Sequence, residues 1–485
     1  MVPSRNTIGL VLLGALALGL RVWVVLALQS EHAGPVAYEH GQIAENLLAG
    51  RGFSVELLGA EGPTSQQAPF YPVLLAVVYW CFGVGSAAAV FVVQLLQCLA
   101  GTALVLAVAW LGWSLLPDRP GIGWVAAVGA AVYPTHIYAV THLQVALWAA
   151  LVLTLLLGVV VSPRWRATRG WAILAGSLAG LLLLIEPILA LALPICAAAF
   201  WISAGRISDG WGTWRDRFSS RPIGRVALMA GVAAAIIAPW TIRNCVVHGR
   251  PVFIKSTLGY AFWQGNNEIS WGTDKVPKPS VEQLRGDHDG TLAGIDRALW
   301  EARHETLYID DVLLKPTGYR DFAGLSEPER CALLGSRARQ FIRENPGRYA
   351  RLCAQRLRYF LLFDETNPKA ANRVYRVATV AWLVLALMGL AVSRDRWPEL
   401  WPTYAIFAAV ALFHTLVIVS ARFRIPVEPM TFVWAAAAVA PAFGRMIPRR
   451  RVRVIRPGEQ ARDPFDRKHV LQGPHYDVRV RRRAG

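Results

Sequence analysis

The chain has 485 residues, 54% of them hydrophobic, with a formal net charge of +18 and a mean hydropathy of +0.37. That apolar content excludes an ordinary soluble domain, and apolar runs of about 17–25 residues, enough to cross a ~30 Å hydrocarbon layer, recur along it. The basic residues sit in short loops and in the tail after Arg445, not interleaved with aromatics on one domain; this excludes nucleic acid as a partner and favours topology signals and anionic lipid headgroups.

Taken in order, the apolar segments predict helices over 7–28, 86–116, 121–139, 142–161, 171–186, 187–204, 224–241, 374–393, 401–419 and 425–444. That makes about ten spans and a mainly α, polytopic membrane fold. The first segment is long for a signal-peptide core and Ala27-Leu28-Gln29 is a poor cleavage site, so it reads as an uncleaved helix. The stretch from Pro69 to Gly83 is too short to cross comfortably and is expected to lie along the surface or re-enter. Arg5, Arg119, the group Arg164, Arg166 and Arg169, the run from Arg206 to Arg225, the pair Arg394 and Arg396, and the tail fall on one side in this count. The excess of Lys and Arg on cytoplasmic loops makes that side the cytoplasm and puts both termini there.

Four regions follow. Residues 1–241 form an N-terminal transmembrane region with an outer loop at 29–68, and 242–373 form a large outer region with amphipathic helices. Residues 374–444 supply the last transmembrane helices, and 445–485 a basic cytoplasmic tail expected to be disordered. In the first outer loop, 40–48 reads as a helix stopped by Gly50 and Gly52. Residues 328–362 read as a helix broken at Asn345-Pro346; its second half sets Tyr349, Leu352, Cys353, Leu357 and Phe360 opposite Arg348, Arg351, Arg356 and Arg358.

The six cysteines lack metal-ligand spacing. Cys81, Cys98 and Cys196 read as small hydrophobes, while Cys245, Cys331 and Cys353 lie in the polar region, where any two are free to pair. No Lys precedes Lys255, which reads as a bias in amino-acid usage. Arg21 lies inside the first helix and requires a partner or a cavity. Glu186, before Pro187, is expected at a membrane surface in a structural role, and Asp287-His288-Asp289-Gly290 lacks the further acids of an EF-hand.

Pro239-Trp240-Thr241-Ile242-Arg243-Asn244 ends an apolar helix with a cation at the water line. Arg243 there is either a phosphate ligand or an arginine snorkelling to headgroups. Arg422 and Arg424, on the turn between the last two helices, pose the same choice, with a structural ion pair between Arg424 and Glu428 as a third.

Several strings together carry a resemblance: YEHGQIAENLLAGRGFS, GPTSQQAPFYPVLLAVVYWCFG, PWTIRN, GYAFWQGNN, FIRENPGRY and ARFRIPVEPM. In this order and topological placement they resemble bacterial membrane glycosyltransferases of the GT-C fold, similar to protein O-mannosyltransferases and lipid A aminoarabinose transferases. The resemblance runs from the first helix to about residue 444. It implies transfer of a hexosyl or pentosyl group from a polyprenyl-phosphate donor to an acceptor hydroxyl at the outer face of the cytoplasmic membrane. It also implies an acidic base in the first outer loop, matched here by Glu39, where many relatives have Asp. Glu45 and Glu61 are the alternative acids. Arg243, Arg422 and Arg424 become candidates for the donor phosphate, and Tyr38, His40, Asn244, Asn266 and Asn267 for the substrate cavity. No metal site is expected, although a divalent cation is an open alternative to Arg in balancing the phosphate. The expected partners are the lipid-linked donor, membrane lipids and an acceptor of unknown type. The competing class is a transporter or flippase of lipid-linked glycan, against which stand the absence of an internal repeat and the gathering of acids and cations at one face.

Overall fold

The computed structural model describes residues 5–28, 38–162, 169–205, 220–277 and 288–443. It is mainly helical (77%), so backbone polar groups in the apolar runs are satisfied within each segment. Among the described residues, four helices are long and apolar enough to cross a membrane: Thr7–Leu28, Ala87–Leu115, Ile223–His248 and Arg373–Val392.

The bundle begins with α1 (Arg5–Leu28), followed by α2 (Tyr38–Leu48) and α3 (Phe70–Phe82). Next come α4 (Ala87–Leu115), α5 (Pro120–Val132), α6 (Pro134–Ala139), α7 (Ala146–Val161), α8 (Arg169–Ile185) and α9 (Ala192–Gly205). Ser86 starts α4 by accepting a hydrogen bond from the Ala89 amide at 3.1 Å. The expected helix over 121–139 is two helices, because Pro134 offers no amide and holds Tyr133 in an extended conformation. α10 (Ser220–His248) packs along α8, where Gly176 allows the close approach: a Cβ there would sit 2.5 Å from the Met229 carbonyl.

The expected end of that helix at residue 241 is corrected. α10 continues through Pro239 to His248, so the boundary at 241/242 falls inside it. Its polar residues find partners without ending it: Arg243 donates to the Thr64 and Phe53 carbonyls at 2.5 and 2.9 Å, and Trp240 Nε1 to Ile254 at 3.1 Å.

The polar segments at 38–68 and 249–372 build a second layer, the cap. A hairpin, β1 (Ser54–Leu57) and β2 (Ala60–Pro63), pairs Ser54 with Pro63 and Leu57 with Ala60. Its turn residues Leu58 and Gly59 both have positive φ, 53° and 76°, the geometry two-residue hairpin loops require. Gly59 is needed twice over, since a Cβ would lie 2.6 Å from the Tyr319 ring. The later segment supplies α11 (Leu258–Gly265), β3 (Lys275–Val276), α12 (Leu292–His304), β4 (Leu307–Tyr308), α13 (Ile309–Leu313), α14 (Glu327–Glu344) and α15 (Pro346–Leu361), with β3 antiparallel to β4.

Both segments share one apolar core of Ile43, Phe53, Val55, Leu57, Trp263, Ile309, Phe322 and Leu334. Glu327 ties them, accepting from Thr64 Oγ1 (2.5 Å), the Ser65 amide (2.8 Å) and Ser256 Oγ (2.5 Å). The chain returns to the bundle as α16 (Arg373–Val392), α17 (Trp397–Leu416) and α18 (Glu428–Phe443), with a 3-10 turn at Ala421–Arg424.

Two further expectations change. All six cysteines are free, so none of Cys245, Cys331 and Cys353 is paired. Arg356, assigned to the polar face of α15, is fully buried and donates to the carbonyls of Thr415 (2.6 Å) and Gly265 (2.7 Å). The predicted break at Asn345-Pro346 is where α14 gives way to α15.

Candidate active site

A cavity of about 1260 Å³ lies between bundle and cap. One part of its wall is apolar: Leu20, Trp23 and Val24 of α1, Leu183 of α8, Ile188, and Ile237 of α10. The other part is charged. Glu39 and His40 reach it from the first turn of α2, Lys255 from the segment after α10, and Arg422 from the last turn. Asp274, Lys275, Arg303, Asp310 and Asp364 also line it, with Glu186, Asp296 and Asp311.

The acids on this wall are not equivalent. Asp310 accepts from the Tyr260 hydroxyl and from Gln264 Nε2 (3.0 Å). Asp274 is paired with Lys275 Nζ at 2.5 Å; burial works to raise its pKa, but the ammonium outweighs it and holds the carboxyl below its usual range. Burial raises the pKa of Asp310 and of Asp364. Asp364 Oδ1 accepts from the Thr366 amide and hydroxyl. Among the described residues Glu39 is held only by Gln66 Nε2, at 3.4 Å to Oε1, which leaves its other oxygen to the cavity. Glu39 lies in the first turn of α2, at the start of the helix that carries it to the cavity.

His40 stands edge-on to Tyr71, ring centroids 5.2 Å apart. Its ring faces the protein-enclosed cavity, and desolvation, with Lys255 and Arg422 nearby, pushes its pKa down to about 3. It is therefore a neutral imidazole. Lys255 donates to Gln67 Oε1 at 3.1 Å, which fixes it beside the Gln66–Glu39 pair. Arg422 is exposed, and its guanidinium stacks 5.5 Å from the Phe423 ring centroid. Lys255 and Arg422 thus present two cations near His40. Tyr38 enters the wall with a positive φ of 48°, and burial raises its pKa.

The remaining predicted site residues have other partners. Arg243 is absent from the cavity wall; besides its two carbonyls it lies over the Trp240 and Phe53 rings, 5.0 and 5.4 Å from their centroids, and so latches the outer hairpin to α10. Asn244 is buried and donates to Ile254 O at 3.1 Å. Asn266 and Asn267 are buried at the end of α11, where their amides donate to the carbonyls of Phe262 (2.8 Å) and Trp263 (2.9 Å). Arg424 is buried, with Nε 2.6 Å from Glu428 Oε1 and the other end on the carbonyls of Phe360 and Leu361. The ion-pair alternative for Arg424 is the one observed. Glu186 lines the cavity. Arg21 is buried and donates to the Ala17 carbonyl at 3.0 Å and the Ala130 carbonyl at 3.4 Å. Asp287 lies outside the described residues, and Asp289 accepts from the Thr291 amide at 2.9 Å. Among the described residues, no three His, Cys, Asp or Glu side chains gather to hold a metal ion.

No family model and no curated protein matches the chain. Solved structures do. The oligosaccharyltransferase of Archaeoglobus fulgidus in its apo form aligns at a TM-score of 0.50 and 16% identity, over 90% of this chain and 50% of that one. The fold is that of the GT-C glycosyltransferases. The chain spans about half the length of the archaeal GT-C protein, and identity at this level speaks for the fold alone. ArnT from Cupriavidus metallidurans bound to undecaprenyl phosphate covers more of its own length, 79%, at 18% identity, but with a TM-score of 0.39.

Proposed function

We propose that the chain is a membrane glycosyltransferase. It moves a sugar, hexosyl or pentosyl, from a polyprenyl-phosphate donor to an acceptor hydroxyl at the outer face of the cytoplasmic membrane, with about ten spans and both termini cytoplasmic. The reading rests on one observation: an open carboxylate, Glu39, and two cations, Lys255 and Arg422, share a cavity whose other wall is apolar. A soluble substrate has no use for that apolar wall; a polyprenyl tail does.

In the proposed reaction, Glu39 takes the proton of the acceptor hydroxyl as its oxygen attacks the anomeric carbon. The bond from that carbon to the phosphate oxygen breaks, and its electron pair stays with the phosphate. Arg422 and Lys255 balance the charge that builds there. Neutral His40 adds no competing proton donor to the Glu39 side. Arg422 replaces Arg243 and Arg424 as the phosphate arginine, because those two are already engaged by backbone carbonyls and Glu428. A divalent cation at the phosphate would serve the same end as the two basic side chains.

The test is incubation of the purified chain with a panel of polyprenyl-phosphate sugars, with Glu39→Gln beside it. Sugar release or transfer that disappears in the variant while donor binding persists supports the reading. Binding without turnover in both proteins favours a transporter.

A further inference from the structure

We propose that Arg303 binds a second anionic group, distinct from the leaving phosphate held by Lys255 and Arg422; the inference rests on the donor reading above. Arg303 lies on α12 and lines the same cavity. Its guanidinium is positioned by aromatic faces, 5.0 Å from the Tyr38 ring centroid and 5.3 Å from that of Trp300. Its Nε is buried without a hydrogen-bond partner among the described residues. Trp300 is itself set by edge contacts with His142 (5.5 Å) and His304 (5.9 Å).

A buried guanidinium donor without an acceptor is costly, and it persists where something else supplies the acceptor. Among the described residues no acid pairs with Arg303: Asp296, two turns away on α12, accepts from Tyr138, Asp310 from Tyr260 and Gln264, Asp274 from Lys275, and Asp364 from Thr366. Stacking leaves the edge of a guanidinium free, and that edge carries the paired donors that fit a phosphate or carboxylate.

Arg303 also lies beyond the first cation pair. Lys255 and Arg422 both bear on His40, whereas Arg303 bears on Tyr38, which it shares with Arg422, and on Tyr138 of α6. Three cations, Lys255, Arg422 and Arg303, thus line one cavity, more positive charge than the single negative charge of one phosphodiester requires. The second anion has two sources: a second phosphate on the donor, or an anionic group on the acceptor.

Binding to the full chain in detergent separates them, with polyprenyl monophosphate, polyprenyl diphosphate and inorganic phosphate as probes against wild type, Arg303→Gln, Arg303→Lys and Arg422→Gln. If the donor carries the second group, diphosphate binds about tenfold tighter than monophosphate, and Arg303→Gln abolishes that margin while monophosphate affinity stays within about twofold. If the acceptor carries it, the two lipids bind alike, and inorganic phosphate binds the monophosphate-saturated wild type but not Arg303→Gln. Either pattern, with partial rescue by Arg303→Lys, supports the proposal. It is overturned if Arg303→Gln changes neither margin, or if it weakens monophosphate as much as Arg422→Gln does. Failure of wild type to bind monophosphate at all overturns the donor reading itself, and this inference with it.

Discussion

Two clusters in this molecule are built from the same four residue types. On the cavity wall stand Tyr38, Glu39, His40 and Arg422; inside the bundle stand Tyr133, His136, Arg424 and Glu428. In the inner cluster both Glu428 oxygens are taken, by Arg424 Nε at 2.6 Å and His136 Nε2 at 2.9 Å, and Arg424 also caps the end of α15. In the cavity cluster, among the described residues, Glu39 meets only Gln66, and Arg422 lines the cavity without an acidic partner. Residue type does not make a site. What distinguishes the two is whether the charges answer each other or are left for something that arrives.

That contrast can be broken by experiment. Glu39→Gln should have the largest effect, lowering turnover about 10²- to 10⁴-fold, with donor affinity within about twofold; a loss of folding instead would move Glu39 into the structural class. Arg424→Met should do the reverse, costing roughly 3–5 kcal/mol of stability because it strands a buried Glu428. Denaturation in detergent measures this, and adding Glu428→Leu should recover part of the loss; an unaltered midpoint for the single variant would show the inner cluster is not needed for the fold.

Arg422→Gln should weaken donor binding about ten- to a hundredfold and leave the melting temperature in place. The smallest effect concerns His40. Its folded pKa lies below its unfolded value of about 6.5, so the unfolded state binds a proton first as pH falls. Its contribution is whole above about pH 6.5 and is lost as pH drops toward the folded value of about 3. By pH 5 the loss should approach about 1–2 kcal/mol relative to pH 8, and His40→Gln should flatten that part of the stability profile. A parallel acid loss in the variant would remove His40 as its source.

Much of the architecture was legible in the chain. Apolar length and periodicity located most of the helices, and Gly50, Gly52 and Asn345-Pro346 marked real ends, because each acts through local backbone geometry. The stop expected after Pro239 was misread because polar residues signal a helix end only when water is their best partner; Arg243 found carbonyls of residues far back in the chain. Glu39, His40 and Arg422 were legible through motif order, whereas Asp310, Asp364 and Arg303 carried no local signal and meet only through packing. Lys255 did carry one. It is the first of six lysines in an arginine-rich chain, and that late start was taken for compositional bias although it marks a local departure from arginine.

The Glu327 clasp has a consequence for how the molecule comes into being. Thr64 and Glu327 are separated by 263 residues. At a synthesis rate of about 5–20 residues per second, the early hairpin waits roughly 13–50 s for its clasp to leave the ribosome. Throughout that interval Phe53, Val55 and Leu57 have no finished core to enter. The newborn chain thus carries an exposed adhesive edge while most of its membrane segments are still being inserted, and the cell must shelter that edge until the second half arrives.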